Sequence, residues 1–195
     1  MTAKHWSLIV WIYRCFSNTL LTYLKPNLKP YVSFLTTHLQ TPLALVNNST
    51  CRGEVISLIY DVLTMIKEPN EDLIRGVVPF AMDALCSLEA GDALKVLAHV
   101  IQQDERKCLQ LVSGSITASN CKVATLLEAL SHTFQTDPAT TLSILSNISA
   151  NTVEDVHYLI ENRELLEKTL LYLQNPCSNL RDDAIFTVAN ALHTL

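Results

Sequence analysis

An apolar helix-forming segment that recurs through the chain is the feature that most constrains how this sequence can fold. Each copy ends in a small or polar residue pair, and the copies are WIYRCFSNTL, ISLIYDVLTMI, ALKVLAHVI, LSILSNIS and IFTVANAL. One position in each copy, here called the marker position, is held by Asn18, Thr64, His99, Asn147 and Asn190. Successive markers are 46, 35, 48 and 43 residues apart. Self-similarity at such a spacing predicts a stack of repeated units.

The composition favours helices for these units. Hydrophobic residues make up 49% of the chain, charged residues 17%, and there are only 4 glycines in 195 residues. Clean alternation of apolar and polar residues, which is typical of strands, is scarce. A period of about 40–47 residues is that of armadillo and HEAT units. We therefore expect an all-α fold, an armadillo-type right-handed superhelical solenoid of about four to five three-helix repeats.

The predicted repeats form one armadillo-repeat domain over residues 1–195. Their approximate bounds are a partial unit 1–18, followed by 19–66, 67–101, 102–149 and 150–195. Between the markers we expect helices at 71–75 and 79–87, 104–112, 120–134, 153–161 and 163–174, and a long loop over 41–53. We read the short second spacing as a trimmed loop between helices near Ala90. Leu166, Leu170, Leu171 and Leu173 are predicted to form the core face of the helix at 163–174. Pro176 and the polar segment CSNLRDD are expected to separate that helix from the last one.

Charge and cysteine usage narrow the class of partner. The formal net charge is −5 and no basic stripe is present, so direct binding to nucleic acid is not expected. The six scattered cysteines lack CxxC spacing, which favours a reducing compartment over a disulfide framework.

Residues 6–24 are strongly apolar but interrupted by Arg14. We interpret them as a buried helix, with a membrane anchor or signal peptide as the less favoured alternative.

Three stretches of the sequence, in order, resemble importin-α. Residues 142–192, LSILSNISANTVEDVHYLIENRELLEKTLLYLQNPCSNLRDDAIFTVANAL, are similar to two successive repeats of that family. Residues 60–85 resemble the repeat that carries a PNE turn and a VVP segment. Residues 92–112 resemble the next repeat, in which a basic residue replaces a tryptophan. The resemblance covers roughly residues 6–195 and is to the middle and C-terminal repeats.

The resemblance implies a peptide-binding groove lined by the marker helices. In the family, an Asn at the marker position bonds both the N–H and the C=O of an extended peptide backbone. An aromatic residue four positions earlier packs against Lys and Arg stems, and carboxylates neutralise their charges. Here the aromatic position holds Arg14, Tyr60, Lys95, Ser143 and Phe186, while the carboxylate position holds Thr140 and then Asp183. The implied peptide-binding residues are Asn18, Tyr60, Asn147, Asp183, Phe186 and Asn190.

The function implied by the resemblance is that of a nuclear transport adaptor in the cytoplasm and nucleus. It would bind the basic nuclear localisation signals of cargo proteins and pass them to a β-type importin. The alternative is an armadillo-type scaffold for protein–protein interaction without a transport role. An all-helical enzyme or a membrane-attached protein is the third and weakest reading. No G-x-S-x-G, P-loop or HExxH motif is present, so no catalytic residue, metal ligand or cofactor is predicted.

Each of these residues also has a purely structural interpretation. Asn147 and Asn190 could cap their own helices, Tyr60 and Phe186 could pack in the core or along the groove, and His99 could be a hydrogen-bonded interior histidine. Asp182 and Asp183 could be acidic residues at a helix start, where the dipole favours them.

Overall fold

The described part of the chain is entirely helical. In the computed structural model it comprises residues 8, 11–12, 14–15, 18, 52–65, 71–85, 90–103, 110, 113 and 125–195. Eight helices and no strand occur in these ranges, which confirms the all-α class. The helices are α1 (Arg52–Met65), α2 (Glu71–Ala84), α3 (Ala90–Gln103), α4 (Leu126–Thr133), α5 (Pro138–Ser149), α6 (Val153–Glu161), α7 (Arg163–Leu170) and α8 (Ser178–Thr194).

Side-chain caps begin several of these helices where the sequence supplies them. At α5, the carboxylate of Asp137 accepts a hydrogen bond from the N–H of Thr140, and Pro138 occupies the first turn, where it costs no hydrogen bond. At α6, Thr152 and Asp155 form a reciprocal capping box. The predicted bounds 153–161 are those of α6 itself. Short local signals therefore suffice to start these helices.

The four helices that carry marker positions pack in a row. Helix α1 packs on α3, α3 packs on α5, and α5 packs on α8, which is the most extensive contact in the described part. The remaining helices lie beside this row: α2 contacts α1 and α3, α6 and α7 contact α8, and α4 contacts α5 and α7. Arg14 donates a hydrogen bond to Ser57 Oγ at 3.5 Å, so the helical residues near position 14 lie beside α1.

The core runs through this row because each marker helix has an apolar stripe at helical spacing. Its fully buried members include Ile59 and Leu63 in α1, Leu94 and Leu97 in α3, and Leu145 in α5. Residues three and four positions apart share a helix face, so such a stripe closes against the next helix. Burying a side chain of this size contributes about 1.5–3 kcal/mol.

One predicted feature in the unit 67–101 is wrong. Residues 71–75 and 79–87 were expected to form separate helices, but α2 runs unbroken over Glu71–Ala84 with Pro79 inside it. Proline removes one helical hydrogen bond, and the burial of Val77, Val78 and Met82 compensates for that loss. The trimmed loop expected near Ala90 falls on residues 86–89, which lie outside the described part, just before α3 begins at Ala90.

The last unit also differs from the expectation. In α7 the buried positions are Leu165 and Thr169, whereas Leu170 and Leu171 are exposed. The predicted core face is therefore wrong for Leu170 and Leu171, whereas Leu166 and Leu173 pack half-buried against the core. Helix α8 begins at Ser178, so most of the segment CSNLRDD is helical instead of a connector.

Several expectations fall on residues that lie outside the described part. These are the predicted helix at 104–112, apart from the helical residue 110, the first part of the helix at 120–134, and most of 6–24 and 41–53. The described residues of 6–24 are helical but exposed, including Leu8, Trp11 and Ile12, so the interpretation of this segment as a buried helix is wrong for them. Residues 52 and 53 of the expected loop are helical, because α1 begins at Arg52. No helix in the described ranges is long and apolar enough to cross a membrane.

Candidate functional site

Helix α8 brings the predicted residues of the last unit to one side. Asp183, Phe186 and Asn190 are spaced i, i+3 and i+7, so their side chains project from the same face. Phe186 is 48% exposed, and Asp183 and Asn190 are half-buried. The interpretation of Phe186 as a core residue is therefore wrong. A large aromatic ring on this face is open to a ligand.

The amide of Asn190 connects α8 to α5. Its Nδ2 donates to Ser149 Oγ at 3.2 Å, and the hydroxyl of Ser149 in turn donates to the backbone oxygen of Ser146 at 2.8 Å. Asn190 does not cap its own helix, because α8 continues to Thr194. In the described part this is the one side-chain hydrogen bond of Asn190, so its amide oxygen and second N–H face no protein partner.

Asn147 lies in the last turn of α5, two residues before Ser149. It is half-buried, and its backbone oxygen accepts a hydrogen bond from the N–H of Ala150. Its side chain forms no cap hydrogen bond among the described residues. The Asn190–Ser149 bond therefore holds Asn190 of α8 close to the last turn of α5, which also contains Asn147.

The electrostatics of the α8 face suit a cation. Partial burial raises the pKa of the Asp183 carboxyl above its usual range, and the neighbouring carboxylate of Asp182 raises it further. Asp182 is exposed and lies 3.6 Å from Arg181 Nε. Neither aspartate is in the first turn of α8, so favourable placement in the helix dipole does not explain them. A bound ammonium or guanidinium group would relieve the unfavourable charge at Asp183.

At the other end of the row, Tyr60 has a structural role. It is half-buried against the core, and its ring lies edge-on to that of His99, with centroids 6.4 Å apart and an interplanar angle of 80°. His99 Nε2 is 3.0 Å from the backbone oxygen of Leu63, and since a carbonyl only accepts, Nε2 carries the hydrogen. The interpretation of His99 as a hydrogen-bonded, partly buried histidine fits this geometry.

Charged residues beside Tyr60 are paired within the protein. Lys95 donates to Asp92 at 3.0 Å, and this hydrogen bond raises the pKa of Lys95. Burial raises the pKa of Asp61, and the positive charge of Arg14 opposes that rise. Helices α3 and α5 separate Tyr60 from α8 along the row, so Tyr60 is not part of the cluster around Phe186.

Asn18 is helical and exposed, next to the residues that lie beside α1. The structure therefore places Asp183, Phe186 and Asn190 on one face of α8. Asn147 lies two residues before Ser149, the partner of Asn190, while Tyr60 and Asn18 lie toward the opposite end of the row.

Two groups of polar residues were not predicted. Ser149 was missed because nothing in the sequence connects it to a residue 41 positions away. A second group joins α4 to α7: Lys168 Nζ donates to Ser131 O at 2.8 Å, Ser131 Oγ at 3.0 Å and Glu164 Oε1 at 2.7 Å. The hydrogen bond from Lys168, followed by the one that the Ser131 hydroxyl donates to Glu164, lowers the pKa of Glu164. This group ties α4 to α7.

The described part of the chain contains no cluster of three or more His, Cys, Asp or Glu residues that could hold a metal ion. No protein-family model matches the chain, and no curated protein or solved structure matches it either. The functional argument therefore depends on the residues and their packing.

Proposed function

We propose that this chain is an armadillo-type helical stack that binds an extended basic peptide along the face bearing Asp183, Phe186 and Asn190, as an importin-α-like nuclear transport adaptor. The observation that carries the proposal is the row α1, α3, α5 and α8, in which each helix with a marker position packs on the next. Repetition of one packing step is how a solenoid aligns equivalent side chains along a shared surface.

The chemistry of the α8 face supports a basic ligand. An exposed aromatic ring attracts a Lys or Arg head by about 0.5–1 kcal/mol at an exposed site, and more where water is excluded. Asp183, already disfavoured as an anion, gains from a cation nearby. The free oxygen and N–H of the Asn190 amide supply one acceptor and one donor, which an extended peptide backbone can use.

Peptide binding is tested with a fluorescent Lys/Arg-rich peptide, a scrambled version and a version with Gln at the basic positions. Phe186→Ala should weaken binding of the basic peptide by about 1 kcal/mol, or roughly fivefold. The matched control is Ile185→Ala, because Ile185 is equally exposed at 47% but projects from α8 about 100° away. Equal binding of all three peptides, or equal effects of the two variants, would reject the site.

The transport role needs a second partner. If the chain is an adaptor, size-exclusion chromatography should show one complex containing the chain, the basic peptide and a β-type importin. If the peptide binds but this complex does not form, the chain is a peptide-binding protein without an adaptor role.

A scaffold without a transport role is the second candidate. It is favoured by the replacement of two aromatic positions with Arg14 and Ser143, and by the use of one Asn190 N–H inside the protein. A scaffold would bind a folded or neutral partner and ignore the basic peptide, so the same peptide series separates the two candidates.

A further inference from the structure

A carboxylate lies three residues before the aromatic position in two of the four marker helices. In α8 it is Asp183, one turn before Phe186, and in α3 it is Asp92, one turn before Lys95. Helices α1 and α5 have a serine and a threonine at that position, and neither carries a charge. In this row, α3 and α8 are therefore the helices that can offer a carboxylate there to a cation.

The two carboxylates differ in their partners. Asp183 is half-buried, and among the residues that the structure describes no Lys or Arg forms an ion pair with it. Asp92 instead accepts a hydrogen bond from Lys95 Nζ at 3.0 Å, and the two side chains form an ion pair along α3. The carboxylate of α8 is therefore open to an external cation, whereas that of α3 already holds a cation of the protein.

A second carboxylate faces the same turn of α3. The Oδ2 atom of Asp137, the cap residue of α5, is 3.7 Å from the place that a Cβ atom on Gly91 would take, so it lies against the first turn of α3. The hydrogen bond to Asp92 raises the pKa of Lys95 most, and the charges of Asp137 and then Tyr60 raise it further. The Lys95 ammonium is thus within electrostatic reach of two carboxylates and of the phenol on α1.

Lys95 has the same register in α3 as Phe186 has in α8. Each lies four residues before the marker of its helix. In α3 and in α8, the marker side chain also hydrogen-bonds to the last turn of the preceding marker helix. The two helices therefore dock on their predecessors in an equivalent way, and equivalent docking places Lys95 and Phe186 on the same side of the row.

We infer that the Lys95 ammonium fills, from within the protein, the place that a basic side chain of a bound peptide would otherwise take over α3. This inference rests on the peptide-binding function proposed above and narrows its ligand. Along the described row, one Lys or Arg of the peptide is recognised, by Phe186 and Asp183 on α8. The ligand class is a peptide with a single essential basic residue, rather than a spaced pair.

The spacing of the helices sets where a second basic residue would have to lie. Packed helices are about 8–10 Å apart, so α3 lies about 16–20 Å from α8, on the far side of α5. An extended peptide advances about 3.3 Å per residue, so about six residues cover that distance. Two lysines six positions apart could reach α8 and α3 together, whereas two adjacent lysines could not.

Two fluorescent peptides of equal length and composition test the inference by fluorescence anisotropy. One has two adjacent lysines, and the other has its two lysines six positions apart in the same neutral sequence. Their affinities for the wild type should agree within about twofold, because Lys95 leaves the second lysine without a partner. Lys95→Ala should bind the spaced peptide about three- to fivefold more tightly than the adjacent one, near the upper value for one exposed ion pair.

Two further variants identify the cause of this gain. Lys95→Ala should fold, because the Lys95 side chain is 51% exposed and alanine favours helix. Adding Asp92→Asn to it should abolish the preference for the spaced peptide, since the lysine of the peptide then loses its nearest carboxylate. Arg163→Ala also removes one exposed positive charge, but on α7 outside the marker row, and should leave the ratio of the two affinities at its wild-type value.

The inference is wrong if the wild type already prefers the spaced peptide several-fold, if Lys95→Ala shows no preference, or if that preference survives Asp92→Asn. A wild type that prefers a peptide with Glu six positions from its single Lys would also overturn it, because Lys95 would then be free to bind a ligand. Failure of the proposed function looks different: neither peptide binds, or Phe186→Ala weakens neither, and the inference is then rejected together with that function.

Discussion

The hydrogen bond between Asn190 and Ser149 makes a prediction about how α5 and α8 are coupled. A single intramolecular hydrogen bond contributes about 0.5–1.5 kcal/mol net. Replacing Asn190 by Ala removes the bond but improves helix propensity by up to about 0.7 kcal/mol. With the full propensity gain, the net loss in the free energy of unfolding for Asn190→Ala is therefore expected to be small, between about −0.2 and 0.8 kcal/mol. The single variant cannot reveal the bond.

A double-mutant cycle removes the propensity contribution. Asn190→Ala, Ser149→Ala and the double variant should give a coupling energy of about 0.5–1.5 kcal/mol, because each single variant already loses the shared bond. The measurement is urea unfolding followed by far-UV circular dichroism, with a common slope m as the condition for comparing the free energies. Helicity at zero denaturant should be the same in all four proteins.

The refuting outcome is additivity within about 0.3 kcal/mol, which is usual for independent sites. It would mean that Asn190 makes no bond to α5 in solution and that both of its N–H groups are open to a ligand. Ser149→Ala also has a functional readout. If Asn190 binds peptide, freeing its amide from Ser149 should keep or increase affinity for the basic peptide, whereas Asn190→Ala should reduce it.

Three further predictions concern stability and pH. Leu94 is buried in the middle of the row, so Leu94→Ala should lower the free energy of unfolding, measured in urea, by about 2–5 kcal/mol. Leu171 is highly exposed, so Leu171→Ala should change the same quantity by less than about 0.5 kcal/mol. Asp183→Asn should raise Tm at neutral pH, because the raised pKa means that folding disfavours the anion; the Tm gap should close as the pH falls through the folded-state pKa and the wild-type carboxyl becomes protonated. Thr152→Ala removes the cap of α6, so it should lower the free energy of unfolding by about 0.5–2 kcal/mol, measured by thermal unfolding. Adding Ser149→Ala, which does not alter this cap, should not restore the lost stability.

Local signals in the sequence predicted the parts of the fold that local physics determines. The capping box of Thr152 and Asp155 starts α6, and the apolar stripes of α1, α3 and α5 follow the helical period. The stretch containing Pro79 was mispredicted because the penalty for a proline inside a helix is local, whereas the burial that outweighs it comes from packing on α1 and α3.

The candidate site was predictable only in part, for a similar reason. The helical period places Asp183, Phe186 and Asn190 on one face of α8 without any tertiary information. The partner of Asn190, and the open side chains of Leu170 and Leu171, depend on which face of a helix meets its neighbour. The leucines alone do not encode that choice, since Leu165 and Leu170 lie on different sides of α7 and either side could meet a neighbour.

The polar bonds between marker helices have a consequence for alignment. Val, Leu and Ile stripes look nearly alike when one helix slides along another by a turn, about 5.4 Å. His99 with the oxygen of Leu63, and Asn190 with Ser149, would each lose their partner in such a slide and leave a polar group against hydrocarbon. A longer protein built by repeating one unit would need a polar residue at both hydrogen-bonding positions of each contact. Without them, neighbouring units could pack in more than one axial register.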